Sequence, residues 1–266
     1  MDDGWLVDAA SWAAVGPYRD APGAVVADTG AVRWYTTPID YEGLNGILWA
    51  RLPEHGLGDA VERALEPFRE TGRPMLWHVG PSSSPATLPD ALTAAGLSHY
   101  EDEPGMVADL GRLGPPPAAP AGLEIRQARD TGDLSVWSAL WAGFPPGTSM
   151  DGLVELRASC GLGADPATAH LVGVLDGTPV ACAAVFTGAR RDDPPPAAVV
   201  ENVVTVAPAR RAGIGGAIIH ACLALARDRG LGRAVLTSSP DGHGIYRRLG
   251  FRDCCTVSRY RFPPAS

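Results

Sequence analysis

The sequence predicts an α/β protein (mixed α+β) of two similar halves in tandem, and three observations carry that expectation. Short β-branched runs alternate with stretches of helical apolar spacing along most of the chain. Near the middle, Gly114-Pro115-Pro116-Pro117-Ala118-Ala119-Pro120-Ala121-Gly122 interrupts the alternation, and consecutive prolines continue neither a helix nor a central strand. The order strand-helix-strand-helix-strand recurs on both sides of that run, which suggests an internal duplication. A chain of 266 residues suits two domains of about 100–150 residues each. They are placed at 1–113 and 123–266, with 114–122 as a proline-rich linker.

In the first half, residues 32–36 and 47–51 read as strands, 57–69 as a helix, 75–79 as a strand, 87–95 as a helix and 106–110 as a final strand. In the second, 123–127 reads as a strand and 130–141 as a helix behind a polar cap, followed by a helix over 150–160. Two β-rich runs, 169–175 and 179–187, are joined by Asp176-Gly177, a strong two-residue turn signal. A strand over 199–206 follows the proline run Asp193-Pro194-Pro195-Pro196, read as a hairpin loop. Ile214, Ile218, Cys222 and Leu225 then recur at helical spacing until Gly230 ends the helix. Residues 233–237 form a strand, 242–249 a short helix and 255–262 a last strand.

Composition removes several functions. All 22 basic residues are arginine. Without lysine there is neither a Walker A phosphate loop nor a pyridoxal phosphate Schiff base. The five cysteines (160, 182, 222, 254, 255) are odd in number and lack a CxxC spacing, so they read as reduced thiols in a cytoplasmic protein with no metal site. Met1-Asp2-Asp3-Gly4 lacks the basic start of a signal peptide, and the longest uncharged apolar-looking run, 212–226, is too short for a span of about 20 residues, so no membrane association is expected. Residues 1–118 hold 17 acidic against 7 basic side chains, and residues 119–266 hold 13 against 15. The acidic half argues against nucleic acid as a partner, and the second half better suits an anionic ligand.

The segment from Val203 to Ala217 is a strand, a turn marked by Pro208 and a glycine-rich entry into a helix. Free backbone N–H groups at a helix start, with the macrodipole behind them, attract an anion. A dinucleotide fingerprint would need glycine where Ile218 stands and an acidic residue about 20 positions on, and neither is present. The stretch resembles motif A of the GCN5-related N-acetyltransferase superfamily (GNAT), Gln/Arg-x-x-Gly-x-Gly/Ala, through Arg210, Gly213 and Gly215. Further on, Tyr246-x-x-x-Gly250-Phe251 resembles the family's motif B. The two motifs sit in order within a matching succession of elements over 123–262.

The resemblance implies two tandem GNAT-like domains, each a mixed, mostly antiparallel sheet flanked by helices. It implies that the pyrophosphate of acetyl-CoA rests on the turn and helix start containing Arg210, Arg211, Ala212, Gly213, Ile214, Gly215, Gly216 and Ala217. The pantetheine arm would pair with the backbone of Val204, Thr205 and Val206, one of whose N–H groups would stabilise the oxyanion. Tyr246 would protonate the departing thiolate, with packing as its alternative role. Glu201 is a candidate base for the amine or a residue bonded to backbone or solvent; strict alternation puts it on one face with Val203 and Thr205. Ser239 stands where family members often carry asparagine. His243 reads first as a solvent-facing turn residue, His220 and the Cys254-Cys255 pair as packing, and Trp137, Trp141 and Phe144 as core, with an acceptor-pocket role as the alternative.

The corresponding turn of the first half, Pro53-Glu54-His55-Gly56-Leu57-Gly58, keeps Gly-x-Gly but has proline where the motif needs Gln or Arg. Its counterpart of motif B lacks the tyrosine. The expectation is a tandem-GNAT protein with a degenerate first repeat and one working site. It would move acetyl from acetyl-CoA to a primary amine of a small-molecule acceptor, as a monomer or homodimer. A non-catalytic acyl-CoA-binding regulatory module and a transferase of a longer acyl group remain open alternatives.

Overall fold

A computed structural model describes residues 3–143, 152–163, 165–188 and 195–262. In chain order the elements are α1 (Gly4–Ala14), β1 (Val25–Asp28), β2 (Val32–Thr36), β3 (Gly46–Ala50), α2 (Leu57–Thr71), β4 (Met75–Val79), α3 (Leu88–Ala94) and β5 (Ser98–Asp109). They continue with β6 (Leu123–Gln127), α4 (Thr131–Ala142), α5 (Leu153–Ser159), β7 (Thr168–Leu175), β8 (Thr178–Phe186), β9 (Ala198–Thr205), α6 (Ile214–Asp228), β10 (Arg233–Thr237), α7 (Pro240–Arg248) and β11 (Arg252–Phe262).

All eleven strands join one sheet in the order β1-β2-β3-β4-β11-β5-β10-β9-β8-β7-β6. Neighbours are antiparallel except for β3 with β4 and β9 with β10. The centre of the sheet is an exchange. The last strand of the second half, β11, pairs with β4 of the first, and the last strand of the first half, β5, pairs with β10 of the second. The two exchanged strands pair with each other. The class and the flanking helices are as expected, but a single continuous sheet replaces one sheet per half.

Local chemistry explains most element boundaries. The β7–β8 hairpin turns on Asp176 (φ 49°) and Gly177 (φ 81°), the two successive positive angles its tight turn requires. Asp130 caps α4 by accepting from the Asp133 N–H at 2.9 Å. On α6, Ile214, Ile218, Ile219, Cys222 and Leu223 are buried against β7–β9 and β10, and Gly230 (φ 86°) follows its end. On the opposite face α4 and α5 bury Trp137, Trp141, Leu153 and Leu156. In the first half α2 and α3 cover β3, β4 and Tyr260 of β11.

Three parts of the fold depart from the sequence reading. Helix α1, packed on β5, β9 and β10 through Leu6, Val7 and Ala10, was not anticipated, because GWLVDAASWAA is apolar nearly all round and shows no clear stripe. Strand β1 was also missed. Strand β5 begins at Ser98, not at 106, and its acidic opening is extended because β11 supplies partners: Arg259 meets Glu101 at 2.9 Å and Glu103 at 2.7 Å. Phe144 and the expected helix start at 150–151 lie outside the described residues, as do Asp193 and Pro194 of the second proline run.

Candidate active site

Strand β9 runs beside β10 only at Ala198 and Val199, then parts from it. Residues beyond Val199 keep β8 as their neighbour on one side and have no β10 partner on the other. Asn202 has φ 56°, and the register with β8 shifts between Cys182↔Val204 and Ala184↔Glu201, so β9 carries an extra residue. This bulge corrects the simple alternation. Glu201 shares a face with Val204, toward Trp137, Trp141 and Arg157, whereas Val203 packs on the α6 side. A local period of two cannot foresee a residue inserted within its own strand.

The gap opens into a cavity of about 330 Å³ whose walls come from both halves. Of the residues expected at the site, Glu201, Val204, Ser239 and Tyr246 line it. Tyr246 is 9% exposed, and its ring lies edge-on to Phe251 at 5.8 Å. A side chain at Gly242, one turn earlier, would come within 2.8 Å of that ring, so glycine is what admits it. Burial, followed by the charge of Glu103, pushes the Tyr246 phenol up to about 12, which keeps it protonated at neutral pH.

Burial raises the Glu201 carboxyl from its ordinary value, and the Arg157 guanidinium, 3.7 Å away, partly opposes this. Arg157 is only 2% exposed. It donates to the Tyr18 hydroxyl at 2.7 Å and lies 5.3 Å from the ring centres of Trp137 and Trp141. Trp137 is core, donating its indole N–H to the Ala183 carbonyl at 2.9 Å, whereas Trp141 both packs and lines the cavity.

Beyond Thr205 the chain enters a short 3-10 turn, Ala207–Ala209, and reaches α6 through Arg211 (φ 63°) and Gly213 (φ 85°). The Arg210 side chain folds back to donate to the Thr205 carbonyl at 3.0 Å. No side chain caps α6, so the N–H groups of its first turn are free of a side-chain acceptor. Gly213 has a second reason to lack a side chain, because a Cβ there would collide with the Ala118 carbonyl oxygen of the linker. Pro117 lies beside Gly216, and His220, expected to pack, instead meets the Gly114 carbonyl at 2.9 Å. The linker thus runs along the start of α6. His243 pairs with Asp253 at 2.8 Å near the surface.

Sequence reasoning missed the walls supplied by Asp8, Tyr35, Tyr41, His78, Glu103 and Arg259. No motif marks them; the strand exchange and α1 bring them in. The first half repeats the parting, since β3 pairs with parallel β4 only at Gly46 and Ile47. There the gap is bridged by the chain itself: the Ser84 N–H donates to the Ala50 carbonyl, and the Ser84 carbonyl accepts from the Leu52 N–H, both at 2.9 Å. Gly56 (φ 73°) precedes α2 as Gly213 precedes α6.

A strand edge left without its parallel partner beside a glycine-led helix start suits an extended ligand that ends in an anionic group. Residues 134–251 match the model of the acetyltransferase (GNAT) family, and this stretch is a GNAT acetyltransferase domain. The protein is an acyltransferase that takes its acyl group from acyl-CoA. Among solved structures it is similar to a GCN5-related N-acetyltransferase from Kribbella flavida, with 22% identity over 98% of this chain and 97% of that one (TM-score 0.71). It also resembles a tandem GNAT protein from the clavulanic acid biosynthesis pathway, at 15% identity over 99% and 95% (TM-score 0.58). A GCN5-related N-acetyltransferase from Sphaerobacter thermophilus shares 16% over 97% and 90% (TM-score 0.58). No curated protein sequence matches at a significant level. Among the described residues no helix is long and apolar enough to cross a membrane.

Proposed function

We propose that this protein is an N-acetyltransferase that moves the acetyl group of acetyl-CoA to a primary amine of a small molecule, with one working site between β9 and β10. The observation that carries this reading is the parting of β9 from β10 at a cavity that Tyr246 also lines. The residues fit acetyl-CoA: the stretch of β9 beyond Val199 that has no β10 partner suits an extended amide-bearing arm, and the uncapped start of α6 suits a pyrophosphate. When bound, acetyl-CoA supplies an activated acyl carbon.

The chain's own groups then have separate tasks. A free alkylamine holds its proton up to a pKa of about 10.4, so a base is needed at neutral pH. Glu201, its carboxyl raised by burial, takes that proton. Backbone N–H groups on the free edge of β9 stabilise the charge developing on the carbonyl oxygen. Tyr246 gives its proton to the leaving sulfur. The halves 1–113 and 123–266 act as tandem repeats joined by 114–122, the first having lost its own cofactor slot. The pairing of Ser84 with the end of β3, where β4 has parted from it, supports that loss.

The test is the release of CoA thiol from acetyl-CoA, with a mixture of primary amines, followed across pH. Wild type is expected to release thiol only when amine is present. Its rate should fall as pH drops through the raised pKa of Glu201, because only the carboxylate accepts a proton. Glu201→Gln should remove that limb and leave the rise set by the amine itself. Release independent of amine, or faster with propionyl- or succinyl-CoA, would replace the reading with hydrolysis or with another acyl group.

A further inference from the structure

The acceptor side of the cavity has a chemistry of its own. Its walls beyond Tyr246 include the aromatic rings of Tyr35, Tyr41 and Trp141, with Tyr41 edge-on to Trp141 at 5.6 Å. Three carboxylates line it, those of Asp8, Glu103 and Glu201, against one guanidinium, that of Arg259. His78, the other basic side chain there, is held neutral by burial and by Arg259.

These carboxylates are not equivalent. Asp8 accepts from the Ser82 N–H at 2.8 Å, and Glu201 faces Arg157. Glu103, on the exchanged strand β5, is 7% exposed, and its Oε2 accepts no hydrogen bond. Arg259 Nη2 forms an ion pair with that oxygen at 2.7 Å, but the same guanidinium also serves Glu101 at 2.9 Å and the Thr237 hydroxyl at 2.8 Å, so two carboxylates share one cation. Three carboxylates in a cavity wall, one of them sharing its cation with Glu101, leave negative charge there that a cationic ligand would balance. An ammonium supplies both donors and charge, and flat aromatic walls favour an apolar body behind it. At roughly 30 Å³ per water, the cavity has the space of about eleven waters, shared with the acyl end of the donor.

Resting on the N-acyltransferase reading above, we infer that the acceptor is a compact primary amine with a flat apolar body, whose ammonium is received by Glu103 from the first half. Glu103 is then a specificity-determining residue, separate from the base. Its position near Tyr246 leaves the ammonium beside the reacting centre. A chain-like polyamine or a peptide terminus lacks the compact flat body that these walls enclose.

The experiment is calorimetric binding of 2-phenylethylamine, ethanolamine and the uncharged 2-phenylethanol to the full chain saturated with CoA, in wild type and Glu103→Gln. Wild type is expected to prefer 2-phenylethylamine over each of the other two by at least about tenfold. Glu103→Gln should weaken 2-phenylethylamine by about 10–100-fold, the range for losing a charged hydrogen bond, without moving 2-phenylethanol or CoA. Equal binding of amine and alcohol in wild type, no binding of any probe, or an unchanged amine affinity in the variant overturns the inference. If the variant does not fold, the wild-type comparison decides. Selective amine binding without thiol release from any acyl-CoA would sink the transferase reading and leave the amine site standing.

Discussion

Tyr246→Phe is expected to lower kcat by about 10–10⁴-fold while leaving CoA affinity nearly unchanged, the range for removing a general acid. The substitution deletes one oxygen from a side chain that is 9% exposed and packed against Phe251 and Gly242, so the phenylalanine ring fills the same space. What disappears is a proton with a pKa of about 12, retained throughout the working pH range. No basic limb attributable to Tyr246 should therefore appear below about pH 11 in wild type. A loss confined to kcat identifies an interaction made only in the transition state. Wild-type kcat in the variant, measured beside its CoA affinity, would assign the residue to packing alone.

Removing residues 1–120 is expected to abolish both cooperative unfolding and CoA binding. Read along the chain, the second half contains every cofactor motif and ought to stand alone. In the fold, however, β10 and β11 flank β5, so deleting the first half takes out the strand that joins them. Met106, Ala108 and Leu110 leave the core beneath α6 with it. Met106 and Leu110 each contribute about 1.5–3 kcal/mol of burial, against a total stability of about 5–15 kcal/mol. Thermal melting and CoA titration of a chain beginning at Ala121 check this. A soluble fragment that melts cooperatively and binds CoA like the whole protein would contradict a role for the exchange in holding the site.

Local pattern made the second half legible. Strands β6 and β10 fall on their expected residues, and α4, α6 and the Asp176-Gly177 turn lie within a residue or two of expectation. Each is set by neighbours in sequence: a cap, an apolar stripe, a pair of positive angles. Tyr246 stands at a motif position, Ser239 where the family often has asparagine and Glu201 on the strand leading into motif A, and all three line the cavity. What stayed hidden depends on distant partners. Residues 98–105 are too acidic to announce a strand and become one opposite Arg259. Glu103, Tyr35, Tyr41 and His78 carry no signature, because their role exists only after the halves have traded strands. The bulge at Asn202 is a smaller case, an inserted residue that reversed which face Glu201 shares with its neighbours.

The most direct test of one open slot and one bridged slot is a calorimetric titration of the full chain with CoA. The account predicts one site per chain, strongly weakened by Gly215→Leu, whose side chain would enter the start of α6 beside Thr205 and Ile245. Two equivalent sites, or one site indifferent to Gly215→Leu, would contradict it.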